Sequence, residues 1–242
     1  MDSKKIAVLY HIFYEDSYKQ VIQELEYLMK LEPLFFFNIS SDTPGKLEIK
    51  AALLKQFPTA VISISANKGK DIGGKLILLK LCMQMAINPD WIIFLHDKKS
   101  LQALNAEAWR RSLFAIIGKE QLECITGKMI HDPNCGIIAS DRYIMKEKVQ
   151  DRYFIGNNGP IMNELVGKYN IECASFDYVA GTIFWAKATP LMSFFKNHDP
   201  LIIRASLEEG NVLDNFKGTH SHSWERLLSW IITSQGYSIK SV

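Results

Sequence analysis

Between residues 5 and 96, short apolar runs alternate with helix-patterned stretches, and this alternation limits the fold more than any other feature of the chain. Lys5–Tyr10 reads as a buried strand, followed over residues 16–30 by Tyr18, Val21, Ile22, Leu25, Leu28 and Met29 at helical spacing. A second strand is expected at 34–39, a turn at Pro44-Gly45 and a short helix at 46–55. A third strand at 59–65 leads through a polar loop into a helix at about 72–87, ended by Asn88-Pro89, before a fourth strand at 91–96. Strands and helices taking turns in this way predict an α/β protein with a mainly parallel sheet covered on both faces. Right-handed crossovers then gather the loops after strands one, three and four on one edge of the sheet.

The second half is less regular. Helices are expected near 105–118, 120–129, 159–169 and 188–197, with strands at 136–140 and about 178–186. Residues 141–156 read as an irregular charged loop and 198–220 as mostly loop. A final helix is expected at about 222–235, with Ser221 or Ser223 as its cap. No repeat, low-complexity tract or linker divides the 242 residues, so the expectation is one domain over 1–242. Within it, 1–100 would form a nucleotide-binding front half and 101–242 an acceptor-shaping back half.

Charge narrows the partners. The net charge is only +2, which gives no basic stripe of the kind nucleic-acid binding requires. Cations cluster locally at Lys68, Lys70 and Lys75 and at Lys98 and Lys99, which suits a small anionic ligand. Cys82, Cys124, Cys135 and Cys173 form no CxxC pair, so a structural zinc site is not expected and a reduced, cytoplasmic protein is. No signal peptide is expected from residues 1–10, and no apolar run approaches the ~20 residues that span a bilayer.

Four segments carry candidate chemistry. Asn67-Lys-Gly-Lys-Asp-Ile-Gly-Gly74 is a glycine-punctuated loop opening a helix, whose N-terminus carries roughly half a positive charge. Asp71 there serves equally well as a plain helix cap. The strand ending in His96-Asp-Lys-Lys-Ser100 sets charged side chains at the carboxyl edge of the sheet, where open α/β folds bind ligands. Val179-Ala-Gly-Thr-Ile-Phe-Trp185 reads either as a core strand or as a backbone approach beside a stacking surface. In His220-Ser-His-Ser-Trp-Glu225-Arg226 the two histidines lack a third metal ligand, and Glu225 is either dipole-stabilised or a general base. No GxSxG elbow supports a serine hydrolase.

In this order the segments resemble the rhamnan synthesis protein F family of bacterial polysaccharide-assembly proteins, and through it GT-A-type glycosyltransferases. The resemblance runs from His11-Ile-Phe-Tyr14 through the 67–73 loop, His96-x-Lys98-Lys99-Ser100 and Trp109-Arg110 to Gly181–Trp185 and His222-x-x-Glu225-Arg226. Lys70 stands where the family favours arginine, Gly74 where proline is common and Asp97 where a small polar residue is usual. The resemblance implies a GT-A-like three-layer fold and transfer of a sugar, rhamnose among the candidates, from a nucleotide-diphosphate donor. The acceptor would be a cell-surface polysaccharide or lipopolysaccharide glycan, free or lipid-linked.

It implies Glu225 as catalytic base, with His96 and Lys98 also catalytic. Donor binding would fall to His11, Asn67, Gly69, Lys70, Asp71, Gly73, Lys99, Ser100 and Arg110. Gly181, Thr182, Phe184, Trp185, His222 and Arg226 would line the acceptor and sugar site. GT-A enzymes usually hold a divalent metal on an Asp-x-Asp pair, for which this chain has His96 and Lys98. No required cofactor is therefore expected: lysine would neutralise the diphosphate in place of Mg²⁺ or Mn²⁺, although Asp97 leaves room for an ion. A dTDP- or UDP-linked donor and peripheral contact with the inner membrane are further expectations. The competing expectation is a non-catalytic nucleotide-sugar or glycan-binding module of an assembly complex.

Overall fold

The computed structural model describes residues 5–97, 112–173, 175–214 and 217–242. Its centre is a seven-stranded sheet built from both halves of the chain. Strands β1 (Ile6–Ile12), β2 (Leu34–Ser40), β3 (Val61–Ser65) and β4 (Trp91–His96) come from the first half. They lie in the order β3-β2-β1-β4 and are all parallel. Helices α1 (Tyr18–Leu25), α2 (Lys46–Gln56) and α3 (Lys70–Gln84) connect them.

After β4 the described chain resumes with a 3-10 turn at Phe114–Ile117 and α4 (Lys119–His131), followed by β5 (Cys135–Ala139). Three short strands, β6 (Ile144–Lys146), β7 (Val149–Gln150) and β8 (Tyr153–Phe154), precede α5 (Gly159–Lys168). Then come β9 (Asp177–Val179), β10 (Phe184–Lys187), α6 (Ala188–Asn197), α7 (Pro200–Ala205), α8 (His220–Thr233) and β11 (Ser238–Ser241). The sheet continues from β4 through β10 and β5 to β11. Because β10 runs antiparallel to both β4 and β5, it is the one reversed strand of this sheet among the described residues.

The strands are apolar on both faces, as burial under helices on either side requires. In β1, Ala7 and Leu9 pack toward α3, α6 and α8, while Ile6, Val8, Tyr10 and Ile12 pack toward α2, α4 and the 114–117 turn. The result is the three-layer α/β architecture that the alternation predicts. Tertiary structure departs from the sequence reading at several points. The strand expected at 178–186 is two strands, because Gly181 (φ 78°) and Thr182 (φ 49°) turn the chain through the left-handed region. The stretch 141–156 holds three short strands, 198–220 holds α7, and β11 extends the sheet edge. Helix α8 begins at His220 and is capped by Thr219, whose Oγ1 accepts from His222 N, so neither Ser221 nor Ser223 is the cap.

Candidate active site

Parallel pairing puts the ends of β1 and β4 side by side, so His11 and His96 are register partners. The same register extends to Asn38 on β2 and Ser63 on β3, forming a polar row near the carboxyl edge. Ser63 Oγ donates to Asn38 Oδ1 (2.8 Å), and Asn38 Nδ2 lies 2.9 Å from His11 Nδ1. Burial pulls His11 down to about 4, against the pull of Asp71 and with that of Lys75, so the ring is neutral. It lies directly under Gly74 of α3: a Cβ there would sit 2.2 Å from His11 Nδ1.

The N-terminus of α3 approaches the same edge. Gly69 (φ 75°) and Lys70 (φ 53°) set the chain into the helix, and Asp71 falls in its first turn. Asp71 Oδ2 accepts from Lys75 Nζ (2.9 Å) one helical turn on and from Thr182 Oγ1 (2.5 Å), with His96 Nδ1 at 3.5 Å. Burial pushes the Asp71 carboxyl up, but the Lys75 ammonium, His96 and the hydrogen bonds from Thr182 and Lys75 outweigh it. The group is held well below the usual carboxylate range.

Lys75 is completely buried. Beyond Asp71, its Nζ donates to the Thr182 carbonyl (2.8 Å), contacts the Thr182 hydroxyl and lies 3.1 Å from His96 Nδ1. An ammonium has three protons to share among these four neighbours. Burying a charge costs several kcal/mol unless it is paired and hydrogen-bonded, as this one is. A β-branched residue at positive φ costs a further ~1–3 kcal/mol and persists only where its surroundings hold it. At Thr182 the holding contacts come from Lys75 and Asp71.

The third wall is α8. Glu208 seals its start, accepting from His220 N, Ser221 N and Ser221 Oγ. His222 lies one turn in, its Nδ1 2.6 Å from Thr219 Oγ1, and burial followed by the charge of Lys70 lowers its basicity. Glu225 accepts from Gly181 N through Oε1 and from Arg226 Nη1 through Oε2. Arg226 is itself fixed by Glu147 (3.0 Å), the His222 carbonyl (2.9 Å) and Tyr178, over whose ring it stacks.

Two clefts meet at these walls. Lys70, Asp71 and His96 line both. One, of about 220 Å³, is closed by Gly181, Thr182, Ser221, His222 and Glu225. The other, of about 270 Å³, is closed by His11, Phe13, Tyr14, Asp97, Asn211 and Leu213. Asp97 shapes the second by accepting from Phe13 N (2.9 Å) and Tyr14 N (2.7 Å). Among the described residues, no group of three His, Cys, Asp or Glu side chains could hold a metal ion.

Eight of the expected site residues therefore line the two clefts: His11, Lys70, Asp71, His96, Gly181, Thr182, His222 and Glu225. Lys98, Lys99, Ser100 and Arg110 lie outside the described residues. Phe184 and Trp185, expected at the sugar site, line neither cleft. Both are wholly buried on opposite faces of the sheet: Phe184 packs on Phe94, and Trp185 Nε1 donates to the Ile116 carbonyl (2.9 Å).

Asn67, Gly69 and Gly73 line neither cleft. Asn67 and Gly69 dock the loop onto residues 208–211, through Gly69 N to Glu208 O, Gly210 N to Asn67 O and Asn67 Nδ2 to Asn211 Oδ1. A Cβ on Gly69 would meet Leu207 at 2.2 Å, and one on Gly73 the Lys68 carbonyl at 1.7 Å. Arg226 stands behind Glu225 as its support. Sequence reasoning missed Lys75 as a site residue, although its spacing of four from Asp71 was a visible signal.

The family model for rhamnan synthesis protein F matches residues 1–237. None of the curated proteins matches the chain. Among solved structures, a mannosyltransferase from Pyrobaculum calidifontis in complex with GDP-Man and Mn²⁺ aligns with TM-score 0.45 at 12% identity, over 99% of this chain and 55% of that one. Residues 1–349 of S. aureus TarS align with TM-score 0.41 at 13% identity, over 94% and 56% of the two chains. The same protein in complex with UDP gives TM-score 0.41 at 12% identity, over 98% and 58%. The chain thus spans a little over half the length of each of these structures.

Proposed function

We propose, because the chain belongs to the rhamnan synthesis protein F family, that it is a GT-A-type glycosyltransferase acting in cell-surface polysaccharide assembly. The observation that carries this reading is the meeting of two clefts at Asp71 and His96, with Glu225 at the far side of one of them. A two-substrate transfer needs adjoining sites of this kind, and both halves of the chain contribute strands to the sheet beneath them.

In this reading the nucleotide-diphosphate sugar occupies the cleft of His11, Phe13 and Tyr14, with its anomeric carbon near Asp71 and His96. A dTDP- or UDP-linked donor, rhamnosyl or another hexosyl, is the class proposed. The acceptor, a glycan or lipid-linked glycan, enters beside His222. Its hydroxyl oxygen attacks the anomeric carbon, the bond to the diphosphate breaks, and the hydroxyl proton passes to Glu225. Gly181 and Arg226 engage one site on each Glu225 oxygen, and each oxygen keeps a second lone pair for that proton.

Lys98 and Lys99 are proposed to neutralise the departing diphosphate in place of a metal. The acidic groups at the clefts are already engaged by Lys75 and Thr182, by Phe13 N and Tyr14 N, and by Gly181 N and Arg226. Activity is expected to survive EDTA, and loss restored by Mg²⁺ or Mn²⁺ overturns the metal-free reading. No helix among the described residues is long and apolar enough to cross a membrane. A cytoplasmic place at the inner membrane surface, where lipid-linked acceptors are reached, belongs to the same proposal.

The decisive experiment is a thermal-shift screen against UDP-, dTDP-, GDP- and CMP-linked sugars, followed by donor hydrolysis and transfer assays with wild type and Glu225→Gln. A donor that stabilises the fold and is turned over by wild type but not by Glu225→Gln supports the transferase. Stabilisation without turnover across donors and acceptor extracts establishes the binding-module alternative instead.

A further inference from the structure

The buried Lys75, like its partner Asp71, touches all three sides of the cleft junction. It contacts Asp71 on α3, His96 at the end of β4 and both the carbonyl and hydroxyl of Thr182 in the β9–β10 turn. A purely structural role at this helix position would be served by an apolar side chain, since its neighbours Ile72, Leu76 and Leu79 are core residues. Instead the chain buries an ammonium and places two of its contacts on one turn, the turn whose two residues hold left-handed φ values. The residue just before Thr182 is Gly181, and its N–H donates to Glu225 Oε1. The Glu225 carboxylate therefore has contacts on two sides: Arg226 behind it, and a backbone N–H from the same two-residue turn that Lys75 contacts at Thr182.

We propose that Lys75 is a positioning residue: its ammonium locks the Gly181–Thr182 turn and, through the Gly181 N–H, sets the orientation of Glu225 toward the acceptor. The inference rests on reading Glu225 as the base. It adds that the base is aimed by a lysine on the helix that also presents Asp71 to the donor cleft. Lys75 does not touch the reacting atoms. It acts through Thr182 and Gly181, so its loss displaces the carboxylate rather than removing any chemical group from the cleft.

The test uses Lys75→Met, Thr182→Val and Thr182→Ser in the full chain, with two readouts. The first is the Gly181 amide proton in NMR spectra, which a short bond to a carboxylate moves downfield. The second is turnover of the donor identified in the screen, with kcat and donor KM separated. The expected result is an upfield move of Gly181 in Lys75→Met and Thr182→Val. Their kcat falls by roughly 100-fold, the cost of a displacement of about 1 Å in a catalytic group, while donor KM stays near wild type. Thr182→Ser, which keeps the hydroxyl, recovers most of both.

An unmoved Gly181 resonance in either folded variant overturns the inference, whatever the activity. So does a loss confined to donor KM. Should Lys75→Met not fold, Thr182→Val carries the same measurement. Should wild type turn over no donor, the transferase reading falls, and the Gly181 resonance still decides whether Lys75 sets the Glu225 contact.

Discussion

Replacing Glu208 with glutamine tests how the α8 wall of the cleft is held. Glu208 sits 12 residues before His220, and its two oxygens take the His220 N–H on one side and the Ser221 N–H and hydroxyl on the other. Burial pushes this carboxyl up, but the Ser221 hydroxyl and the backbone N–H groups of His220, Glu208 and Ser221 prevail and hold it at about 2, against a usual 4.5. At ~1.4 kcal/mol per pH unit, that displacement corresponds to about 3 kcal/mol of stability at neutral pH. The carboxyl is lowered in the folded state, so this stability is fully present above pH 4.5 and is lost as pH falls toward 2. Glutamine keeps one acceptor oxygen but points an NH₂ at the other donors, leaving N–H facing N–H at a helix start that favours negative charge.

Glu208→Gln is therefore expected to lose about 3 kcal/mol at pH 7, or about 6–12 °C in Tm for a chain of this size. Urea denaturation of both proteins at pH 7, 5, 4 and 3 checks the mechanism as well as the magnitude. Wild type should shed about 2 kcal/mol of this contribution by pH 3, so the gap between the two proteins should narrow as pH falls. A gap that stays constant from pH 7 to pH 3 would refute the argument, because it would show the loss to be one of packing rather than of an ionised carboxylate on helix N–H groups. Since α8 carries His222 and Glu225, the variant should also lose turnover before it loses its fold.

Gly74→Ala should cost about 2 kcal/mol by overpacking, because the new methyl would fall 2.2 Å from His11 Nδ1. An unchanged urea midpoint would mean that α3 does not approach β1 so closely. Trp185→Phe should destabilise by about 1–3 kcal/mol through the abandoned Ile116 carbonyl. It should leave donor and acceptor KM unaltered, and a shifted sugar preference would return Trp185 to the binding surface.

The first four strands are legible because each is a short apolar run bounded by turn residues, with a helix-period stretch between successive runs. Where the reading fails, the deciding contact is remote in sequence. The run from Val179 to Trp185 is nearly continuous in apolar residues and so reads as one strand. The turn inside it is held by Lys75, 107 residues away. Ser221, Ser223 and Thr219 are equally good caps by residue type. Thr219 takes the role with its N–H held by Asn158, and Glu208 engages Ser221 from the other side. Strand β11 is four residues long, with Ile239 its one apolar residue, and on the sheet edge, so only its pairing with β5 reveals it.

The site shows the same division between chemistry and partner. Gly69 and Gly73 do mark close backbone approach, as their residue type implies, but what approaches is Leu207 and the Lys68 carbonyl. A glycine reports that something must come near and not what it is. Asp71 and His96 stand out in the sequence because strand ends and helix starts gather on one sheet edge, whereas His11 and the role of Glu225 enter only through the family resemblance. Lys75 was read with Lys68 and Lys70 as part of one cationic loop, although helical spacing already turned it away from them and toward the sheet. Its four-residue offset from Asp71 shows an ion pair, and an exposed pair of that kind contributes only about 0.3–0.5 kcal/mol. What makes this pair part of the site is that it is buried and shares its donors with His96 and Thr182. Those partners come from the end of β4 and from the β9–β10 turn, so Lys75 meets them only once the sheet has formed.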